Sequence, residues 1–156
     1  MLIGGEAVRR TVAAMTSPTR RRRHGDAAED VAVSYLRSLG WRVVARNIGV
    51  GRDEIDVLAL DAGPPPEMVC VEVRSNVSGR FGTPEESVVG GKARRLYRSM
   101  AALRSGSAPV DDMAWPRGIS WRVDLVVVEM APSIGRDAGG PRIRHLCRLE
   151  PDAGRG

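Results

Sequence analysis

Asp53-Glu54-Ile55-Asp56-Val57-Leu58-Ala59-Leu60 and Met68-Val69-Cys70-Val71-Glu72-Val73-Arg74 alternate polar with apolar residues, the period of a β-strand. Between them, Asp61-Ala62-Gly63-Pro64-Pro65-Pro66-Glu67 is too rich in proline to continue a ladder, so it reads as a hairpin loop. Symmetry about Pro64 opposes Asp56 to Glu72 and Glu54 to Arg74. Those four then share one face, and Ile55, Val57, Val71 and Val73 share the other, where they pack as core.

Two carboxylates opposed across an antiparallel pair stand roughly 5 Å apart at Cβ and repel each other. Three answers are open. The pair can share a proton, hold a hard divalent cation such as Mg²⁺, or be solvated on an exposed face. Glu29 adds a third acid, at the border of the apolar stripe of an expected helix. From there it either aims at the hairpin carboxylates or completes a capping box with Asp26. Lys92, in the first turn of a second expected helix, is a candidate phosphate contact, as is Arg94 two residues on.

Working outward, Ala28, Val31, Ala32, Tyr35, Leu36 and Leu39 follow the i, i+3, i+4, i+7 pattern of an amphipathic helix from Asp26 to about Leu39, stopped by Gly40. Trp41 to Arg46 reads as a strand, and Gly49-Val50-Gly51 as the turn after it. A helix over 91–104 buries Ala93, Leu96, Met100 and Leu103. A loop over 105–120 leads to a Val-rich strand from Arg122 to Met130, and Arg142 to Leu149 forms an edge strand. The order α-β-β-β-α-β predicts an α/β fold: a three-strand meander, then a helical crossover to a fourth strand in one mixed sheet flanked by helices.

The chain has 156 residues, enough for one domain, and 42% of them are hydrophobic. With 24 Lys plus Arg against 19 Asp plus Glu it carries +5, mostly as arginine, which suits phosphate partners. Residues 1–23 end in four consecutive arginines and read as a disordered basic arm or an upstream-start artefact. Residues 24–150 form the domain, and 151–156 a flexible tail. No apolar run is long enough to span a membrane. Cys70 and Cys147 lack metal-type spacing and read as reduced thiols of a cytoplasmic protein. His24 and His145 read as isolated, so neither is an expected metal ligand. Asp124, among valines, reads as one half of a structural ion pair.

An ordered set of matches then carries a resemblance. Gly25-Asp26-Ala27-Ala28-Glu29-Asp30-Val31-Ala32, Tyr35-Leu36, Gly40-Trp41 and Arg46-Asn47 are followed by Asp53 to Leu58 and Val71-Glu72-Val73-Arg74. Phe81-Gly82, Lys92 and Trp121-Arg122-Val123-Asp124 complete it. Over about residues 24–130 the chain resembles the YraN family of bacterial proteins. That family is similar in fold and motif to the PD-(D/E)XK nucleases, which include restriction enzymes and archaeal Holliday-junction resolvases.

The resemblance implies a restriction-endonuclease-like core and a Mg²⁺ or Mn²⁺ site. Asp56 and Glu72 would be its ligands with the Val73 carbonyl, Glu29 the helix acid and Lys92 the second-helix polar residue. Asp56, Glu72, Arg74 and Lys92 would be catalytic, and Arg74, Lys92 and Arg94 would contact nucleic acid, DNA in particular. Two positions depart from the pattern. Arg74 stands where the motif has lysine, and arginine stays charged at any relevant pH, so it cannot be a general base. Asp53 stands where glycine is usual. The implied activity is metal-dependent phosphodiester hydrolysis. The alternatives are a noncatalytic nucleic-acid-binding module and a scaffold whose acids only form ion pairs, such as Glu54 with Arg74.

Overall fold

The computed structural model describes residues 20–76, 91–106, 118–130 and 139–151. The expectations for residues 1–19, for Phe81-Gly82, for most of the 105–120 loop and for the end of the tail lie outside the described residues.

The elements are α1 (Arg20–Ser38), β1 (Arg42–Val50), β2 (Asp53–Asp61), β3 (Glu67–Asn76), α2 (Gly91–Arg104), β4 (Ser120–Glu129) and β5 (Arg142–Leu146). One sheet has the spatial order β1-β2-β3-β4-β5. Its pairs are antiparallel except β3–β4, which is parallel, with α2 lying between those two strands in the chain. The expected α-β-β-β-α-β order holds, and the expected edge strand is β5, which ends at Leu146 rather than Leu149.

Both faces of the sheet are covered. On one, Ala28, Ala32, Val33 and Leu36 of α1 pack on Val57, Ala59, Val69, Val71, Val126 and Val128. On the other, Leu96, Met100 and Leu103 of α2 pack on Leu58, Met68, Cys70 and Val123. Each fully buried Leu or Val contributes about 1.5–3 kcal/mol, which sets the strand register firmly. Val57 indeed opposes Val71, as symmetry about Pro64 requires. The single core face expected for Ile55 and Val57 is corrected, because Ile55 joins the α2 cluster and Val57 the α1 cluster.

Several boundaries are corrected too. α1 begins at Arg20, so Asp26 and Glu29 lie inside the helix, no acid occupies its first turn and the capping-box reading fails. Residues 20–23 are therefore helical rather than part of an arm. Leu39, expected on the buried stripe, is 47% exposed, while Val33 is buried in its stead. The helix does stop at Gly40, whose φ of 82° is open to glycine. The Gly40 N–H donates to the Arg37 carbonyl and the Trp41 N–H to that of Leu36, a Schellman cap. The first strand runs on through Val50, which pairs with Asp53, so the turn is Gly51-Arg52. Asp61 and Glu67, expected in the hairpin loop, form the last rung of the ladder. Among the described residues, no helix is long and apolar enough to cross a membrane.

Candidate functional site

The β2–β3 ladder is bridged from Asp61 and Glu67 back to Val57 and Val71, and no bridge continues it to Asp56 and Glu72. There the Asp56 carboxylate accepts the Val73 N–H at 2.7 Å. A side chain thus takes a backbone donor, which fixes Asp56 at the mouth of a cleft of about 650 Å³. The middle of α1 and the first turn of α2 also line this cleft, contributing Glu29 from one helix and Lys92 from the other.

Glu72 is only 2% exposed. Its Oε1 meets the Lys92 ammonium at 2.7 Å and the Arg74 guanidinium at 3.2 Å. Its Oε2 is buried with no hydrogen-bond partner, as is the Arg74 Nε. Buried polar atoms are nearly always satisfied, and an orphaned carboxylate oxygen is costly. Lys92 also stands near the positive end of the α2 dipole, where a cation is disfavoured unless an anion faces it. Glu72 supplies that anion.

The Asp56 carboxyl is pushed up from 3.8 to about 7, first by burial and then by the Glu72 charge; the Val73 N–H and Lys92 oppose this. Glu29, half-buried on α1, is also held above its ordinary value by burial, against hydrogen bonds from Asn47 and Arg46. Asn47 has a left-handed φ of 51°, a conformation that asparagine tolerates better than most residues. Arg46 stands 3.4 Å from Glu29 and 2.8 Å from Asp30.

Of the residues singled out from sequence, Glu29, Asp56, Glu72, Arg74 and Lys92 therefore meet in one cleft. Arg94 does not; it is exposed and points elsewhere. Arg95 and Arg52 line the cleft instead. Arg95 was legible, since a residue three beyond Lys92 shares its helix face. Arg52 was hidden by the misplaced turn. Arg74 pairs with Glu72 on its own strand, and the suggested partner Glu54 is exposed.

A second cluster was not anticipated. Arg122, 7% exposed, reaches Asp124 at 3.1 Å, Asp61 at 3.1 Å and Glu67 in a close pair. Its guanidinium lies 5.1 Å from the centre of the Trp41 ring, a cation–π contact. The reading of His145 as isolated is corrected: its Nε2 lies 3.0 Å from Asp124 Oδ2, and Cys147 stands beside both. Asp124 is an ion-pair member, as expected, held below the usual carboxylate range by His145, Arg148 and Arg122 despite its burial.

Comparison with known sequences places this architecture. The profile of "Uncharacterised protein family UPF0102" matches residues 28–128. A UPF0102 protein of Symbiobacterium thermophilum is 39% identical over 134 residues, covering 85% of this chain and 96% of the relative. One from Moorella thermoacetica is 40% identical over 108 residues, covering 69% and 82%. One from Pseudarthrobacter chlorophenolicus is 36% identical over 124 residues, covering 80% of each. The matched span runs from the α1 residues beside the cleft to the end of the parallel strand pair, and the resemblance noted in the sequence is thereby accounted for: the chain belongs to the UPF0102 (YraN) family.

Proposed function

We propose that the cleft binds a divalent cation, Mg²⁺ or Mn²⁺, beside a phosphate of nucleic acid, and that the protein hydrolyses phosphodiester bonds in DNA. The observation that carries this reading is the buried, unpartnered Oε2 of Glu72 next to the raised carboxyl of Asp56. Hard cations take carboxylate oxygens, and a 2+ charge relieves both the repulsion and the unmet acceptor. Asp56 and Glu72 would hold the ion, with Glu29 as the third acid. The bound ion would polarise a phosphoryl oxygen and lower the pKa of an attacking water.

The chain's own residues do the rest. The Val73 N–H orients the Asp56 carboxylate, so its oxygens are placed before any ligand arrives. Lys92 and Arg74 fix Glu72 from one side and present positive charge to a phosphate. Arg52 and Arg95 extend that charge along the cleft wall. Arg74 does not take a proton from water, since guanidinium stays charged.

This last point supports a second reading, a module that binds nucleic acid without cutting it. Two measurements separate the readings. Millimolar Mg²⁺ or Mn²⁺ should raise the melting temperature, by the equivalent of roughly 2.7 kcal/mol at a hundred times Kd, and Asp56→Asn should abolish the gain. Absence of any shift removes the metal site. Metal-dependent cleavage of branched or single-stranded DNA supports the hydrolase, while salt-sensitive DNA binding without cleavage selects the module. In that case a gain of cleavage in Arg74→Lys would show an intact but detuned centre.

A further inference from the structure

We propose that Asp124, His145 and Cys147 form a second metal site, for a zinc-class divalent cation, at the far end of α1 from the cleft. One ligand atom from each lies within 4.8 Å of the others. Asp124 is fully buried on β4, His145 sits on β5, and Cys147 follows two residues later at the surface. A carboxylate, an imidazole and a thiolate together suit a borderline-soft ion rather than Mg²⁺. Bonds of about 2.0–2.3 Å to such an ion require the three ligand atoms, within 4.8 Å of one another, to draw closer around it. Three protein ligands leave a fourth position to water.

The surroundings are arranged as a ligand shell requires. Asp124 Oδ1 accepts the Arg148 N–H at 2.9 Å, the Arg122 Nε–H is shared between Oδ1 at 3.1 Å and Oδ2 at 3.2 Å, and Oδ2 also faces His145. Arg148 adopts a left-handed φ of 57°, rare for a residue with a side chain, and this curls the chain after Cys147 back onto Asp124. The other imidazole nitrogen, Nδ1, faces the Tyr35 hydroxyl at 3.3 Å, a partner of the kind that orients a ligating histidine. Tyr35 and Trp41 also hold the ring edge-on, with centroids 5.7 and 5.5 Å away.

Charge favours the ion as well. The carboxylates of Asp61, Glu67 and Asp124 face the guanidiniums of Arg122 and Arg148 and the His145 imidazole, so with that imidazole neutral one negative charge is in excess. A 2+ ion with a thiolate adds one positive charge and balances it. On binding, Cys147 releases its proton, and the imidazole carries its own proton on Nδ1, toward Tyr35. A Cys-His nucleophile is the competing assignment. It fits less well, since the two imidazole nitrogens face Asp124 and Tyr35.

The site does not depend on the reading of the cleft, and its test is separate. Chelator-treated full-length protein is titrated with CoCl₂, and the sulfur-to-cobalt charge-transfer band is followed in the near ultraviolet. The band should saturate at one equivalent, be displaced by Zn²⁺, vanish in Cys147→Ser and persist in Asp56→Asn. Tyr35→Phe should weaken cobalt binding about tenfold, and His145→Gln should weaken it further. Folding of each variant is checked by far-ultraviolet circular dichroism. No sulfur band in the folded protein, a band that survives Cys147→Ser, or affinity unchanged in His145→Gln would overturn the site.

Discussion

At the tip of the β2–β3 hairpin, Asp61 and Glu67 converge with Asp124 on Arg122, and each carboxylate there has a cationic partner. At its base, Asp56 and Glu72 converge with Glu29, and the cations do not complete the set. Glu72 keeps an orphaned oxygen, and burial with like charge drives Asp56 toward neutrality. The ingredients are the same, buried acids with arginine or lysine. What differs is geometry. Arg122 stands among its acids, while Lys92 and Arg74 both serve one oxygen of Glu72 and leave its other oxygen unmet. Acids met by a cation hold the fold together at the tip, where only the Asp124 oxygen facing His145 is offered to an ion; at the base a wholly unmet oxygen awaits a ligand.

The strongest way to break this contrast is Arg122→Met, which takes the shared cation from three acids and leaves Glu67 with Arg148 and Asp124 with His145. The expected loss is about 3–5 kcal/mol in urea unfolding; a small loss would mean that the tip is no more closed than the base. Next is the pH dependence of the base. The folded state holds a proton on Asp56 up to about pH 7, whereas the unfolded chain releases it near 3.8. Metal-free stability attributable to this group therefore falls as pH rises between those values and is lowest above 7, by on the order of 2–4 kcal/mol. Asp56→Asn should flatten that slope in urea melts at pH 5 to 8, and an unchanged slope would place the strain elsewhere.

Smaller effects sharpen the picture. Gly63 has a φ of 52°, its N–H donates to Asp61, and a Cβ there would meet the Pro65 carbonyl oxygen at 1.9 Å. Gly63→Ala should cost about 2 kcal/mol in thermal unfolding, mostly at the tip, and leave metal-dependent stabilisation at the base intact. Arg46→Ala removes an exposed pair and should change stability by less than about 1 kcal/mol. It should still alter the metal concentration needed for stabilisation, because Glu29 loses a competing cation.

How much of this was legible varies with the distance over which each residue acts. The hairpin register followed from Pro64 and strand alternation, because proline and a period of two are local facts. The buried face of α2 followed from periodicity. The start of α1 did not, since four arginines give no apolar signal and Asp26 with Glu29 imitated a cap. The split of Ile55 and Val57 between two clusters was also hidden, because it depends on helices covering both faces. His145 was misread for the same reason. Its partner Asp124 lies 21 residues away and is brought to it by the pairing of β4 with β5.

The two ends of the hairpin are tied by a single ribbon. Asp56 and Asp61 are five residues apart on β2, roughly 17 Å of extended chain. Losing or gaining one codon within either strand inverts the facing of every residue beyond it, so the Arg122 cluster and the acidic cleft would be disabled together. Changes in length confined to residues 62–66 would spare both, which makes that short segment the natural place for this hairpin to vary.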